Sequence, residues 1–244
     1  GVDVETIYGT DLYLYNRMEP SIWGANEEFI SCPQLDDLQC AYTSLQGFLK
    51  GANKQSINVF ACFDNEEVGS GTKQGAGSTF LYDAMRRINN ALGKGEEEYY
   101  RALASSFMLS ADNAHAVHPN HPAKTDVNNC VYMNEGIVVK SHAGQKYTSD
   151  AVSIAVFKGL CKKAGVPVQF FSNRSDTAGG STLGNIAMAQ VSMNSVDIGL
   201  PQLAMHSSYE TAGVKDTAYM IKVMEEFFNS HIEEMSGHIL KVTK

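Results

Sequence analysis

Short apolar runs of β type alternate with amphipathic helical periods along most of the chain, and this alternation constrains the fold most strongly. The β-type runs lie at residues 12–15, 57–63, 107–111, 136–140, 166–171 and 196–200. Apolar residues recur at helical spacing within residues 38–49, 81–92, 151–156 and 220–228. The pattern predicts an α/β fold with a mixed, largely parallel central sheet flanked by helices on both faces.

The charge balance argues against two classes of partner. The formal net charge is −8, and the 19 Lys and Arg residues are scattered along the sequence. Nucleic acids and anionic membrane surfaces attract clustered cations, so we expect neither as a partner. No apolar run approaches the span of about 20 residues that crosses a bilayer.

The cysteines indicate the compartment. There are five, an odd number, and none stands in a CxxC spacing. The N-terminus lacks the basic and apolar pattern of a signal peptide. We therefore expect a soluble, cytoplasmic protein with reduced thiols. Because the sequence begins with Gly and soon enters an apolar run, we also expect further residues upstream of Gly1.

Acidic residues and histidines collect after the predicted strands. Glu66 and Glu67 follow one apolar run, Asp112 and His115 follow another, and His206 comes shortly after a third. Ligands of open α/β sheets bind at the carboxyl ends of the strands. One pocket could therefore collect these side chains.

Two more acidic residues, Asp36 and Asp37, stand where a loop meets the helical period of residues 38–49. Either could be a helix N-cap, and a lone loop histidine such as His118 often has no function. However, several carboxylates buried together without cations would repel one another, and no basic residues stand beside them in sequence. A bound pair of metal ions would resolve that repulsion.

The adjacency of Glu66 and Glu67 suggests how such a centre would work. Successive side chains of a strand point to opposite faces, so both can serve one site only on a turn, which Gly69 and Gly71 permit. Carboxylate and imidazole ligands suit zinc, and also manganese or cobalt. One glutamate would bind metal while its neighbour acts as general base toward a water molecule.

Five segments carry a resemblance to a known family. In chain order they read CPQLDDL, FDNEEVGS, SADNAHAVHPN, SDTAGGSTLG and GLPQLAMHSSYE. Together they resemble the aspartyl aminopeptidase and vacuolar aminopeptidase I family of two-metal exopeptidases, over about Ile7 to Phe228. The resemblance implies a zinc-exopeptidase-like fold, two divalent metal ions per subunit, and removal of one N-terminal residue from peptides.

The resemblance also implies roles for individual residues. Asp36 would bridge the two metal ions, and Glu66 would be the general base. The further metal ligands would be Glu67, Asp112 and His206. Asp37 stands where relatives often have Asn, which favours Asp36 as the bridge and leaves Asp37 as a cap or a supporting group.

The implied substrate contacts are Lys140, Tyr147 and His118. Lys140, in GIVVK, resembles a lysine that faces an acidic side chain of the substrate, so the resemblance implies a preference for N-terminal Asp or Glu. Lys140 could instead be a surface lysine, and a preference for neutral residues stays open. Ala178 and Gly179 depart from the family pattern, which leaves the shape of the specificity pocket open.

Two family features are not found in this sequence. One is a His-x-Asp segment whose histidine binds one metal ion, and the other is an inserted subdomain that builds the oligomer. We therefore expect residues 1–244 to be the C-terminal part of a catalytic domain, incomplete at its N-terminus. One metal ion has Asp36, Glu67 and His206, whereas the other has only Asp36 and Asp112.

The resemblance further implies a large homo-oligomer, a dodecamer in relatives. A different class of function also stays open, namely a non-catalytic relative that serves as an assembly module. The presence of Glu66 beside the ligands argues against that class, because a scaffold needs no unligated base.

Overall fold

The computed structural model describes residues 1–236 and 239–243. The helices are α1 Leu35–Lys50, α2 Phe80–Ala91, α3 Glu96–Ala104, α4 Ala151–Ala164, α5 Leu183–Ala187 and α6 Val214–Phe228. The strands are β1 Ser21–Trp23, β2 Phe29–Cys32, β3 Phe107–Ala111, β4 Ala114–His115, β5 Ile137–Ser141, β6 Val168–Ser172, β7 Asn194–Gly199, β8 Pro201–Leu203, β9 Glu210–Gly213, β10 His231–Ser236 and β11 Ile239–Thr243.

The central sheet has the strand order β3-β7-β5-β6. β3 and β7 run parallel, as do β5 and β6, while β5 and β7 are antiparallel. Helices α4 and α6 pack on one face of the sheet, and the short helix α5 contacts β3 and β7 on the other. The predicted α/β class with a mixed, largely parallel sheet is confirmed.

Strand β5 shows how the core divides between the two faces of this sheet. Ile137 and Val139 point into the main core, whereas Val138 points to the opposite face. The main core also contains the buried side chains Phe157 and Leu160 of α4 and Met220, Val223 and Met224 of α6. The opposite face is covered by Ala114, Val131, Tyr147 and Phe171. Lys140 is two residues after Val138 on β5, so its side chain points to the same face, toward this second cluster.

A second sheet has the order β1-β2-β9-β8-β4 and was not predicted. Its strands are two to four residues long, which is too short to display a period in the sequence. It continues from the central sheet, because Asp112 and Asn113 join β3 to β4 while Leu200 joins β7 to β8. Asp112 and its neighbours therefore lie at the junction of the two sheets.

Two predicted strands are wrong. Residues 12–15 and 57–63 form no strand, although the other four β-type runs match β3, β5, β6 and β7 to within about two residues. Leu12 and Tyr15 are exposed, and Ile57 and Val59 lie in an extended segment with exposed side chains. An apolar run becomes a strand only where a neighbouring strand supplies the ladder hydrogen bonds.

The predicted helical periods match α1, α2, α4 and α6, with Leu92 one residue beyond the end of α2, while α3, α5 and the β10–β11 hairpin were not predicted. Within the described residues, none of the helices combines the length and the apolar character that a membrane span requires.

Candidate metal centre

Three predicted ligands meet at one point of the structure. The carboxylates of Asp36 and Glu67 and the imidazole of His206 each offer an atom within 4.8 Å of the other two. His206 Nε2 lies 2.7 Å from Glu67 Oε1 and 3.1 Å from Asp36 Oδ2. Two carboxylates and one imidazole form a ligand set that suits zinc.

A second group of side chains shares Asp36 with the first. It consists of Asp36, Asp37 and Asp112, whose carboxylate oxygens again lie within 4.8 Å of one another. The two clusters have Asp36 in common. Such an arrangement is expected where one carboxylate bridges two cations.

The surroundings of Asp36 fit a cation. Its side chain is only 3% exposed, and its buried Oδ1 accepts no hydrogen bond from the described residues. Burial, followed by the charges of the Asp112, Glu67 and Glu210 carboxylates, raises the pKa of Asp36 to about 8. A buried oxygen without a donor, surrounded by other carboxylates, is unfavourable unless a proton or a metal ion joins it.

The beginning of α1 places both aspartates. The backbone of Asp36 and Asp37 is not helical although it lies in the first turn, and Gln34 precedes the helix without a side-chain cap. Asp37 Oδ1 accepts the backbone N–H of Asn113 at 3.2 Å, so it joins α1 to the junction of the two sheets. Burial and the charge of Asp112 raise the pKa of Asp37 well above its usual value. The sequence left Asp37 as a cap or supporting group, and the structure brings its carboxylate within 4.8 Å of those of Asp36 and Asp112.

Glu66 and Glu67 lie on a turn, as their adjacency requires. The backbone N–H groups of Asp64 and Asn65 both donate to the carbonyl of Gln74, which closes the base of the turn. Gly69 has φ of 91°, a left-handed conformation that glycine adopts without strain. Glu66 is half-buried, and burial together with the charges of Glu67 and Asp112 raises its pKa to about 7. Glu66 therefore stands beside the clusters without belonging to either.

Lys140 corrects one expectation from the sequence. The carboxylates were expected to lack a nearby cation, but Lys140 Nζ lies 3.2 Å from Asp112 Oδ2, with both side chains largely buried. Burial alone would lower the pKa of Lys140, yet the carboxylates of Asp112 and Asp197 raise it on balance. The ammonium group also lies 5.8 Å from the ring centre of Tyr147. The structure thus brings Lys140 and Tyr147 to the edge of the second cluster.

Buried Asp197 holds two segments next to this edge. Its Oδ2 accepts the N–H and the hydroxyl of Thr148, the residue after Tyr147, and its Oδ1 accepts the hydroxyl of Thr182 at 2.8 Å. Thr182 belongs to the SDTAGGSTLG segment, so one carboxylate joins that segment to the residue after Tyr147. Asp197 was not singled out from the sequence, because it lies inside an apolar strand.

His118 is not brought to the other predicted site residues by any contact in the described part of the chain. It is exposed on the loop after β4, where its ring lies 5.1 Å from the ring of His121 and its Nδ1 accepts the N–H of Asn120. Its assignment as a substrate contact stays a prediction. His115 lies nearer than His118 to the other predicted site residues. Burial lowers the pKa of its imidazole most, and the charges of Lys140 and His206 lower it further.

Carboxylate clusters of this kind at the edge of an α/β sheet are typical of metal-dependent hydrolases. A family model described as "Aminopeptidase I zinc metalloprotease (M18)" matches residues 1–228. The chain therefore belongs to the M18 family of zinc metalloproteases, and the family resemblance noted from the sequence is confirmed.

Individual relatives agree with this family. A protein of Clostridium acetobutylicum named "Probable M18 family aminopeptidase 2" is 48% identical over 229 residues, which is 94% of this chain and 53% of that protein. A chain in a cryo-EM structure of an Ape4 and Nbr1 complex is 36% identical with a TM-score of 0.82, covering 88% of this chain and 42% of the other. The S. cerevisiae mApe1 dodecamer is 28% identical with a TM-score of 0.76, covering 88% and 49%. The chain thus spans about half the length of the relatives it matches.

The turn that carries Glu66 and Glu67 can be tested with two glycines. A Cβ at Gly75 would collide with the carbonyl oxygen of Ser70, whereas a Cβ at Gly71 would meet open space. We expect Gly75→Ala to displace the turn, to lower stability by about 1–3 kcal/mol, and to weaken zinc binding. Gly71→Ala should change stability by less than about 0.5 kcal/mol. Denaturant unfolding and zinc titration of both variants test this, and equal zinc affinities would show that the turn does not set the ligand geometry.

Proposed function

We propose that this chain supplies the catalytic residues of a zinc-dependent aminopeptidase that removes the N-terminal residue of peptides. Residues 1–244 would then be metallopeptidase catalytic-domain sequence. The observation that carries the proposal is the pair of ligand clusters that share the buried carboxylate of Asp36. Membership of the M18 family supports it.

In this proposal the carboxylate of Asp36 would hold both zinc ions, because both ligand clusters contain it. Glu67 and His206 would complete the first site, while Asp112, with Asp37 beside it, would hold the second ion. The bound ions would lower the pKa of a water molecule to about 7 and polarise the carbonyl of the scissile peptide. The ligands themselves balance the charge of the ions, which is why so many carboxylates can share a partly buried site.

Glu66 is the proposed general base. It lies beside Glu67, belongs to neither ligand cluster, and is half-buried. Its carboxylate would take a proton from the attacking water and pass it to the leaving amine. A neighbouring carboxylate bound to a metal ion would be a weaker base, because the cation stabilises its ionised form.

The proposed substrate preference is for N-terminal Asp or Glu, and it rests on Lys140. Lys140 is a buried cation at the edge of the site, with Tyr147 packed beside it. A specific observation favours the alternative, a preference for neutral residues: the charge of Lys140 is already balanced by Asp112 at 3.2 Å. If zinc neutralises Asp112, Lys140 becomes available to an acidic side chain. His118 is kept as a further proposed substrate contact.

We also propose that the protein forms a homo-oligomer, since one structural relative is described as a dodecamer. The side chains of Leu38, Tyr42 and Leu49 on α1 are apolar and exposed, which supports an interface that covers them in the oligomer. The mass in solution by light scattering tests this. The other class of function, a non-catalytic assembly module, predicts assembly without peptide hydrolysis.

The two adjacent glutamates distinguish base from ligand. We expect Glu66→Gln to keep zinc but to lose about 10²–10⁴-fold in kcat, the usual contribution of a general base. Glu67→Gln should weaken zinc binding as well, because a carboxylate ligand is lost. Zinc analysis and peptide hydrolysis measured on the same preparations test both. Full activity of Glu66→Gln would reject Glu66 as the base, and a wild type that binds zinc without hydrolysis would favour the assembly module.

Lys140 can be tested through substrate preference. We expect Lys140→Leu to lower kcat/KM for peptides with N-terminal Asp or Glu about a hundredfold more than for Leu or Ala peptides, because an acidic side chain would lose its counter-charge. Lys158→Leu removes an exposed lysine on α4 and should leave the ratio unchanged. Because only the ratio is compared, a general loss from freeing Asp112 cancels. Equal losses on both peptide classes would show that Lys140 is structural.

A further inference from the structure

Glu210 is a buried carboxylate that lies directly behind the proposed ligands. It is the first residue of β9, where it pairs with Cys32 of β2, and it is 2% exposed. It belongs to neither ligand cluster. Its carboxylate therefore needs partners other than water or a metal ion.

Both oxygens of Glu210 accept backbone N–H groups of proposed ligands. Oε2 accepts the N–H of Asp36 at 2.9 Å, and Oε1 accepts the N–H of His206 at 2.8 Å. Asp36 and His206 are 170 positions apart in sequence, yet their side chains meet in one cluster. A single carboxylate thus joins the backbones of two of its three members.

The backbones of Asp36 and His206 both lie outside regular helix or strand geometry. Asp36 has φ of −85° and ψ of 110° inside the first turn of α1, which is not helical. His206 has φ of 66°, a left-handed conformation that is uncommon for a residue with a side chain. An uncommon conformation such as that of His206 persists where the surroundings fix it. The hydrogen bonds to Glu210 hold the backbones of both Asp36 and His206.

We propose that Glu210 is a positioning residue that fixes Asp36 and His206 relative to each other for zinc binding. The proposal rests on the function proposed above, because it takes these two residues as ligands. Ligands held in place before the metal ion arrives lose less freedom on binding. Partners that orient ligands without touching the metal typically contribute about 10–100-fold to metal affinity.

Asp216 offers a matched control within the same chain. It is fully buried, and its two oxygens accept the backbone N–H groups of Asn134 and Gly136. Asp216 thus makes the same type of double hydrogen bond, but its partners are not proposed ligands. A substitution of either carboxylate by its amide turns one acceptor into a donor that faces an N–H group. Both variants therefore lose the same kind of double hydrogen bond. They differ in that only Glu210 holds the backbones of proposed metal ligands.

The experiment compares Glu210→Gln and Asp216→Asn by competition with a chromophoric zinc chelator, together with thermal unfolding of the zinc-free proteins. We expect both variants to unfold at lower temperature. Zinc affinity should fall about 10–100-fold in Glu210→Gln and should change less than about twofold in Asp216→Asn. In the zinc-loaded protein, kcat should fall more than KM rises. Glu210→Asp keeps the charge but is one methylene too short to reach both N–H groups, so it should weaken zinc binding as well. This variant replaces Glu210→Gln in the comparison if Glu210→Gln does not fold.

The outcomes separate this proposal from the proposed function. Unchanged zinc affinity in a folded Glu210 variant, or equal losses in the Glu210 and Asp216 variants, would overturn the positioning role while leaving the peptidase proposal in place. If the wild type binds zinc but hydrolyses no peptide, and Glu210→Gln binds zinc more weakly than the wild type, the positioning role is supported and the peptidase proposal is rejected. A wild type that binds no zinc would overturn both.

Discussion

The repulsion among carboxylates around Asp36 is the constraint on which the rest of the site depends. Oxygens of Glu67, Asp37 and Asp112 approach the buried Asp36 carboxylate within 4.8 Å. Two unit charges about 4 Å apart repel by about 4 kcal/mol at an effective dielectric constant of 20. The high pKa of Asp36, about 8, expresses this repulsion together with burial. A proton on Asp36 relieves this repulsion, and a cation bound by all of these oxygens would turn it into attraction.

The scaffold holds these groups together through a few connections rather than through one rigid element. Asp112 lies where the central sheet passes into the second sheet, and the neighbouring Asn113 donates to Leu35 O at 3.0 Å and to Gln202 Oε1 at 2.8 Å. These bonds tie the beginning of α1 to the sheet junction. Glu210 adds the connection to His206. Because these anchors are largely buried, the core fixes the backbones of Asp36, Asp112 and His206, whereas Glu67 lies on an exposed turn.

The sequence allowed much of this arrangement to be predicted, and the failures have physical causes. Asp112 and His206 follow apolar runs that form strands, so the strand-end rule and the family motifs both point to them. Glu67 follows the run 57–63, which forms no strand, so only the motifs point to it correctly. The segment 57–63 has the composition of a strand, but strand formation requires a partner, which composition does not reveal. Glu210 and Asp197 act through backbone N–H groups and hydroxyls of distant segments, and such contacts leave no local pattern. Asp37 was predicted to be a cap or a supporting group, and its oxygen accepts the backbone N–H of Asn113, a contact between distant segments that the sequence does not display.

The shared position of Asp36 is the central claim, and zinc titration of Asp36→Asn beside His206→Ala tests it most directly. If Asp36 bridges two ions, the wild type binds zinc at two sites, Asp36→Asn weakens both, and His206→Ala weakens only the site formed with Glu67. Isothermal titration of the zinc-free proteins separates the two sites by affinity and stoichiometry. An Asp36→Asn variant that keeps one site at wild-type affinity would contradict the account, because the two clusters would then not depend on a common carboxylate.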